Sequence, residues 1–212
     1  MRVDLRLWTS VVTIAICGFA IARGLGVVHF SIAVANIDSP EKRAEIVKAW
    51  GSAPNVASAA LRADLNTQID PSDQKANNRR RQTLSSLVSI KPMSSYSWLW
   101  LSDLQLITDQ PMEQVFDSLE LSTLTGPNEG YVLGERAVYA VSLWQRLPAD
   151  LKRHAALDVA SMMFPRTPAE GAELDKLRAV VVTEPDWVRN EQREAVVATG
   201  VSPEEVEKQL GF

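Results

Sequence analysis

The sequence has little of what chemistry at a metal ion or a reactive thiol requires. Its 212 residues include one cysteine, Cys17, and two histidines, His29 and His154. A single cysteine cannot form a disulfide or a thiolate metal site within one chain. Neither histidine belongs to an HExxH motif or has a cysteine near it in the sequence. We therefore predict no metal ligands and no cofactor.

Glycine-based catalytic motifs are absent as well. The ten glycines do not form a GxxxxGK or GxGxxG phosphate loop, and no GxSxG nucleophile motif occurs. The Glu-Ser dipeptide expected of a lytic transglycosylase is also missing. Glu129, Glu135 and Asp158 could approach one another as paired carboxylates, but so could many other acidic residues. The sequence therefore singles out no catalytic residue and argues against enzyme activity without excluding it.

Acidic residues outnumber basic ones outside the N-terminus. The whole chain carries a formal charge of −4, whereas its first 35 residues carry +2, so the remainder is clearly acidic. Binding to nucleic acid requires a basic face that neutralises phosphates. The charge distribution therefore argues against nucleic acid as a partner.

The longest uncharged stretch lies at the N-terminus. Residues 7–22 contain no charged side chain, and apolar residues resume after Arg23 as far as Phe30. A helix over residues 7–30 would be about 36 Å long, enough to cross a hydrocarbon core of roughly 30 Å. Arg23 lies towards one end, where its head group can reach the interface. We interpret residues 1–35 as a single-pass membrane anchor with a short cytoplasmic tail.

Two other interpretations of this stretch stay open. Arg2 and Arg6 before residues 7–22 also match a cleaved signal peptide, with small-x-small sites at residues 20–22 and 33–35. The third interpretation is a buried helix of a soluble domain. If the segment is an anchor, Arg2 and Arg6 favour a cytoplasmic N-terminus. Residues 36–212 would then form a domain outside the cytoplasmic (inner) membrane, in the periplasm of a Gram-negative cell.

Helix-start signals recur throughout residues 36–212. Ser39 and Ser202 each precede a proline and an acidic residue, and Thr167 to Glu170 is a capping box with proline at the first helical position. Apolar residues follow these starts at helical spacing, and no alternating strand pattern occurs. The sequence predicts an all-α fold of about nine short helices, arranged as an α-solenoid-like array of hairpins.

Residues 92–127 form the most distinctive helical unit. Trp98 and Leu101 lie on its first helix, bulky residues line its second, and Pro127 closes it 35 residues after Pro92. This unit resembles a tetratricopeptide repeat, and residues 128–164 resemble a looser second one. Three positions depart from the family pattern, namely Ser102, Gln105 and Gln114. The resemblance implies a surface that binds other proteins.

Aromatic and arginine side chains are the candidates for that surface. Trp100 and Tyr139 can stack against a sugar or a peptide, although aromatic residues at helical spacing more often pack in a core. Arg79 and Arg80 begin a run of three arginines that can bind an anion or form a solvated helix face. Consecutive helical residues point in different directions, so the three arginines cannot all face one ligand.

These features predict a membrane-tethered scaffold that contacts the bilayer and other envelope proteins. The layout of a short anchor and a small helical body, with the segments at residues 92–98 and 126–130, resembles accessory proteins of bacterial polysaccharide synthesis and export. An alternative is an extracytoplasmic glycan-binding or glycan-processing protein; a third possibility is an assembly factor for division or outer-membrane complexes. Exposure of Trp100 or Tyr139 in a groove beside Glu129 or Glu135 would favour the glycan alternative, whereas burial would favour the scaffold.

Overall fold

The computed structural model describes residues 71–211, together with residues 13–18, 25, 28, 45 and 49. Over this part of the chain the structure contains helices and no strand, which confirms the all-α prediction. The chain divides into two compact units, Met1–Lys91 and Pro92–Phe212. The bounds of the helices follow from local sequence signals in both units.

In the first unit, α1 spans Gln74–Ile90. In the second unit, seven helices follow: α2 (Ser95–Ile107), α3 (Met112–Thr125), α4 (Gly130–Ser142), α5 (Ala149–Met162), α6 (Pro168–Val181), α7 (Asp186–Val197) and α8 (Pro203–Leu210). A short 3₁₀ helix, Trp144–Arg146, joins α4 to α5.

Side-chain caps explain where several helices begin. The Thr167 hydroxyl accepts a hydrogen bond from the Glu170 amide at 3.2 Å, and the Ser202 hydroxyl accepts one from the Glu205 amide at 3.2 Å. These bonds satisfy amide groups that the first helical turn leaves without partners. Gly211 ends α8 in the left-handed conformation, with φ at 69°. The predicted starts of α6 and α8 are therefore confirmed.

The helices of the second unit share one hydrophobic core. α2 and α3 form an antiparallel hairpin, α4 packs against both α5 and α6, and α7 and α8 close the unit against α5 and α6. Leu99, Val132, Trp144, Leu177 and Val206 are among the buried side chains of this continuous core. The described helices give no evidence of tetratricopeptide-like repeats, so that resemblance and the solenoid-like arrangement stay predictions.

The predicted membrane anchor falls largely outside the described residues. Within it, residues 13–18 are helical, and the apolar side chains of Ile14, Ile16, Leu25 and Val28 are exposed. None of the helices that the structure describes is both long enough and apolar enough to cross a membrane.

The α2–α3 hairpin depends on a close approach at Gly126, the residue that ends α3. A Cβ atom at Gly126 would lie 2.5 Å from the Ser95 Cβ and 2.9 Å from the Glu129 Cδ. Ser95 is itself fully buried, and its hydroxyl donates to the carbonyl oxygen of Ser122 at 2.9 Å. Small side chains at these positions let the two helix ends meet.

We expect Gly126→Ala to lower the free energy of unfolding by about 1–3 kcal/mol, because the added methyl group forces the buried start of α2 away. Denaturant unfolding of the full chain, followed by circular dichroism, measures the change. Gly171→Ala is the matched control. Gly171 lies inside α6 with no atom within 4 Å of its added Cβ, so alanine is expected to stabilise the protein by up to about 1 kcal/mol there. Equal effects of the two substitutions would contradict the packing argument.

Candidate functional site

An open groove lies between α2, α4 and α6. Its volume is about 320 Å³, at the lower end of the range for small-molecule sites. Three helices supply the lining residues: Leu99, Trp100 and Asp103 from α2, Glu135, Val138, Tyr139 and Ser142 from α4, and Glu173 and Lys176 from α6. The groove therefore combines apolar walls with four charged groups.

Trp100 and Tyr139, both predicted as interaction residues, come together in this groove. Both side chains are half-buried. The Trp100 ring lies 4.8 Å from the Tyr96 ring between centroids, at a tilt of 46°. The Tyr139 hydroxyl lies 3.2 Å from the Ser102 hydroxyl, which donates to the Val115 carbonyl oxygen at 2.8 Å. These contacts orient two aromatic rings that are still accessible from the groove.

Two carboxylates of the groove have no close partner in the part of the chain that the structure describes. Neither Asp103 nor Glu135 makes a hydrogen bond or an ion pair there, whereas Glu173 forms an ion pair with Lys176 at 2.6 Å. Burial raises the pKa of Asp103 and of Glu135, and the charge of Glu173 raises the pKa of Glu135 further. Burial also raises the pKa of Tyr139, so its hydroxyl stays protonated.

The raised pKa of Asp103 has a measurable consequence for stability. The folded state holds the Asp103 proton more tightly than the unfolded state, whose pKa is near 3.8, so stability falls as the pH rises above that value. We expect Asp103→Asn to stabilise the protein at pH 7, by up to about 1 kcal/mol, because asparagine is never charged. The gain should disappear below the unfolded-state pKa, where aspartate is also neutral.

Denaturant unfolding of the wild type and of Asp103→Asn, from below the unfolded-state pKa of aspartate up to pH 7, tests whether the variant is more stable only at the higher pH. Asp117→Asn, at an exposed position of α3, is the control and should change stability by no more than about 0.5 kcal/mol. If Asp103→Asn destabilises the protein at pH 7, the carboxylate makes a stabilising contact and the interpretation is wrong.

A buried ion pair joins α4 to α5. Arg136 of α4 and Asp158 of α5 form a bidentate pair, with Nε–Oδ2 at 2.6 Å and Nη2–Oδ1 at 2.9 Å. The remaining Arg136 nitrogen donates to the carbonyl oxygens of Ser122 at 3.0 Å and Gly126 at 3.2 Å, at the end of α3. Arg136 is 1% exposed. Burial raises the pKa of Asp158, and the guanidinium opposes that rise.

The ion pair bears on the earlier suggestion that Glu135 and Asp158 could approach each other as paired carboxylates. Asp158 is buried against Arg136, whereas Glu135 lines the groove beside Glu173 and Lys176. Arg136 was not among the residues predicted from the sequence, although a signal for it was present. Arg136 lies four residues after Val132 and four before Ala140, on the apolar stripe of α4, and a charged residue on such a stripe requires a buried partner.

The other predicted interaction residues lie on α1 in the Met1–Lys91 unit. Arg79 is exposed. Arg80 is buried, and its guanidinium donates to the Asn77 side-chain oxygen at 3.2 Å, so it does not present its charge to solvent. Neighbouring arginines therefore point in different directions, as the helical geometry predicts.

A second, smaller groove of about 230 Å³ lies near the starts of α4 and α6, with Ser161, Arg166 and Glu170 in its lining. Among the described residues, no cluster of histidine, cysteine, aspartate and glutamate could hold a metal ion. Comparison of the chain with protein-family models, curated proteins and solved structures finds no match. Functional inference therefore depends on the sites themselves.

Proposed function

We propose that this protein is a membrane-tethered interaction scaffold of the bacterial envelope, whose Pro92–Phe212 unit binds a segment of another envelope protein in the groove of α2, α4 and α6. Trp100 and Tyr139 are half-buried, so they show neither the exposure expected of the glycan alternative nor the burial expected of the scaffold. The observation that carries the proposal is that both rings line one groove. Tryptophan and tyrosine are the residues most enriched at the centres of protein interfaces. The core of the unit is filled by other side chains, including the fully buried Trp144.

The helices that form the groove are held by buried contacts, which favours binding. Arg136 links α4 to α5 and to the end of α3, and the Ser102 hydroxyl links α2 to α3. A site that is already ordered loses less conformational entropy when a partner binds. The groove is therefore suited to hold a partner segment without rearrangement of its own backbone.

The proposed membrane tether is supported by the uncharged residues 7–22 and by the exposed apolar side chains of Ile14 and Ile16. A membrane anchor raises the effective concentration of the groove near other membrane proteins. The choice of polysaccharide synthesis and export as the process rests on the sequence resemblance of residues 92–98 and 126–130.

Site-directed photocrosslinking in native membranes tests the scaffold. A photoreactive amino acid at Ser142, on the exposed rim of the groove, is expected to give a discrete adduct that Trp100→Ala removes. The same photoreactive amino acid at Ser161, in the second groove, is the control, and any adduct that it forms should be unchanged by Trp100→Ala. Identical adducts at both positions, or an adduct at Ser142 that persists without Trp100, would refute binding in the groove.

Membrane fractionation tests the tether separately. We expect the full-length chain to stay in the membrane pellet through a high-salt wash and to be released by detergent. Release by salt of a protein that still begins with Met1 would refute the anchor.

A glycan-binding or glycan-processing protein is the second candidate, because Trp100 and Tyr139 are not fully buried and share their groove with Glu135. A carboxyl group with a raised pKa can also act as a general acid in glycoside cleavage. Titration with isolated envelope glycans decides between the candidates. Binding of a neutral glycan that depends on Trp100, or cleavage that Glu135→Gln abolishes, would replace the scaffold proposal.

A further inference from the structure

The charges of the groove are unbalanced. Asp103, Glu135 and Glu173 oppose a single cation, Lys176, and Lys176 is already paired with Glu173 at 2.6 Å. Among the residues that the structure describes, neither Asp103 nor Glu135 forms a hydrogen bond or a close ion pair, although the charge of Lys176 also lowers the pKa of Glu135. An unpaired carboxylate that is partly removed from water loses hydration without a compensating bond. The groove is therefore arranged to receive positive charge.

Each unpaired carboxylate lies one helical turn from an aromatic ring. Asp103 follows Trp100 by three residues on α2, and Glu135 precedes Tyr139 by four residues on α4. Residues at these spacings lie on the same face of a helix. The negative charge of Asp103 also acts on the Tyr139 hydroxyl, so the two helices bring their charged and aromatic groups to a common space.

A carboxylate beside an aromatic face is the arrangement that binds organic cations. The ring attracts a cation through its π face, and the carboxylate forms a charge-assisted hydrogen bond with an ammonium or a guanidinium group. The apolar walls formed by Leu99 and Val138 suit the aliphatic stem of a lysine or arginine side chain. A phosphate or an acidic sugar would instead be repelled by the two unpaired carboxylates.

We propose that the groove binds the side chain of a lysine or an arginine in the partner's peptide segment, with the cation held between Asp103 and Glu135 and its stem against Trp100 and Tyr139. This inference rests on the proposed function and names the chemistry of the partner. Binding of the partner segment would then depend on the charges of Asp103 and Glu135 as well as on contact with the two aromatic rings.

Titration of the full-length protein in nanodiscs with short peptides tests the inference. The probes are three acetylated pentapeptide amides of the form Gly-X-Gly-X-Gly, in which X is arginine, glutamine or glutamate. We expect the arginine peptide to perturb the Trp100 indole resonance in NMR spectra and the other two to leave it unchanged. We also expect added salt to weaken binding, because the attraction between partly exposed charges is screened.

Neutral variants provide the matched comparison. Asp103→Asn and Glu135→Gln are each expected to weaken binding of the arginine peptide by about fivefold or more, since each removes one charged contact. Asp117→Asn, on the exposed face of α3, should leave affinity unchanged. Asp103→Asn is expected to be at least as stable as the wild type, and the unfolding measurement described above checks that weaker binding does not arise from unfolding. Equal binding of the arginine and glutamine peptides, or unaltered affinity in both groove variants, would overturn the inference.

The photocrosslinking experiment separates this inference from the proposed function. If the adduct at Ser142 requires Trp100 but persists in the Asp103→Asn and Glu135→Gln variants, the groove binds a partner without a basic side chain. If no adduct depends on Trp100, the scaffold itself is wrong.

Discussion

Replacement of Arg136 by methionine is expected to lower the free energy of unfolding by about 3–5 kcal/mol. Methionine fills much of the same space but cannot pair with Asp158, which is only 5% exposed. The substitution also leaves the carbonyl oxygens of Ser122 and Gly126 without the donor they share. Denaturant unfolding of the full-length protein measures the change.

The unfolding of Arg136→Met should also depend on pH in a characteristic way. Without the guanidinium, burial raises the folded-state pKa of Asp158 further, opposed by the charge of His154, so the variant loses stability as the pH rises above the unfolded-state pKa near 3.8. The loss should therefore be larger at pH 8 than at pH 5. A loss of the same size at both values would show that the charge of Asp158 is not its cause.

Two further variants isolate the buried pair. Arg153→Met removes an arginine from the same region, but the Arg153 side chain is 69% exposed and its ion pair with Asp150 lies at the surface, so the effect should stay below about 1 kcal/mol. Arg136→Met combined with Asp158→Leu removes both charges and should recover much of the lost stability, because an apolar pair of similar volume can replace a buried ion pair. A double variant that is less stable than Arg136→Met alone would contradict this account.

Trp144→Ala is expected to destabilise the protein by about 3–5 kcal/mol, the usual cost of deleting a large buried aromatic side chain. Trp144 is 1% exposed and belongs to the core that the helices of the second unit share. Lys152 also lies over its ring, with the ammonium nitrogen 5.6 Å from the ring centroid. Thermal and denaturant unfolding of the full chain measure the loss.

Trp187→Ala is the control for this substitution. Trp187 lies on α7 and is 60% exposed, so its removal should change stability by no more than about 0.5 kcal/mol. Similar losses in the two variants would mean that burial does not govern the contribution of these tryptophans. Trp100→Ala should fall between them, because its ring is half-buried in the groove.

Local signals allowed the helices to be predicted from the sequence. A hydroxyl cap at Thr167 and a proline at Pro168 act within one helical turn, so they place the start of α6 whatever packs against it later. The apolar spacing that follows such starts predicted the all-α fold. The predicted anchor at residues 1–35 depends on the uncharged run of residues 7–22, which is likewise visible in the sequence alone.

Tertiary structure alone decided which polar and aromatic residues meet. Trp100 and Tyr139 were predicted as interaction candidates, but nothing in the sequence indicated that they would lie in one groove or that Trp144 would be buried in the core. The sequence likewise offered no reason to join Arg136 to Asp158 across 22 residues. Helix caps and periodicity depend on neighbours along the chain, whereas burial and ion pairing depend on which helix faces come together, and that is settled by the packing of the whole unit.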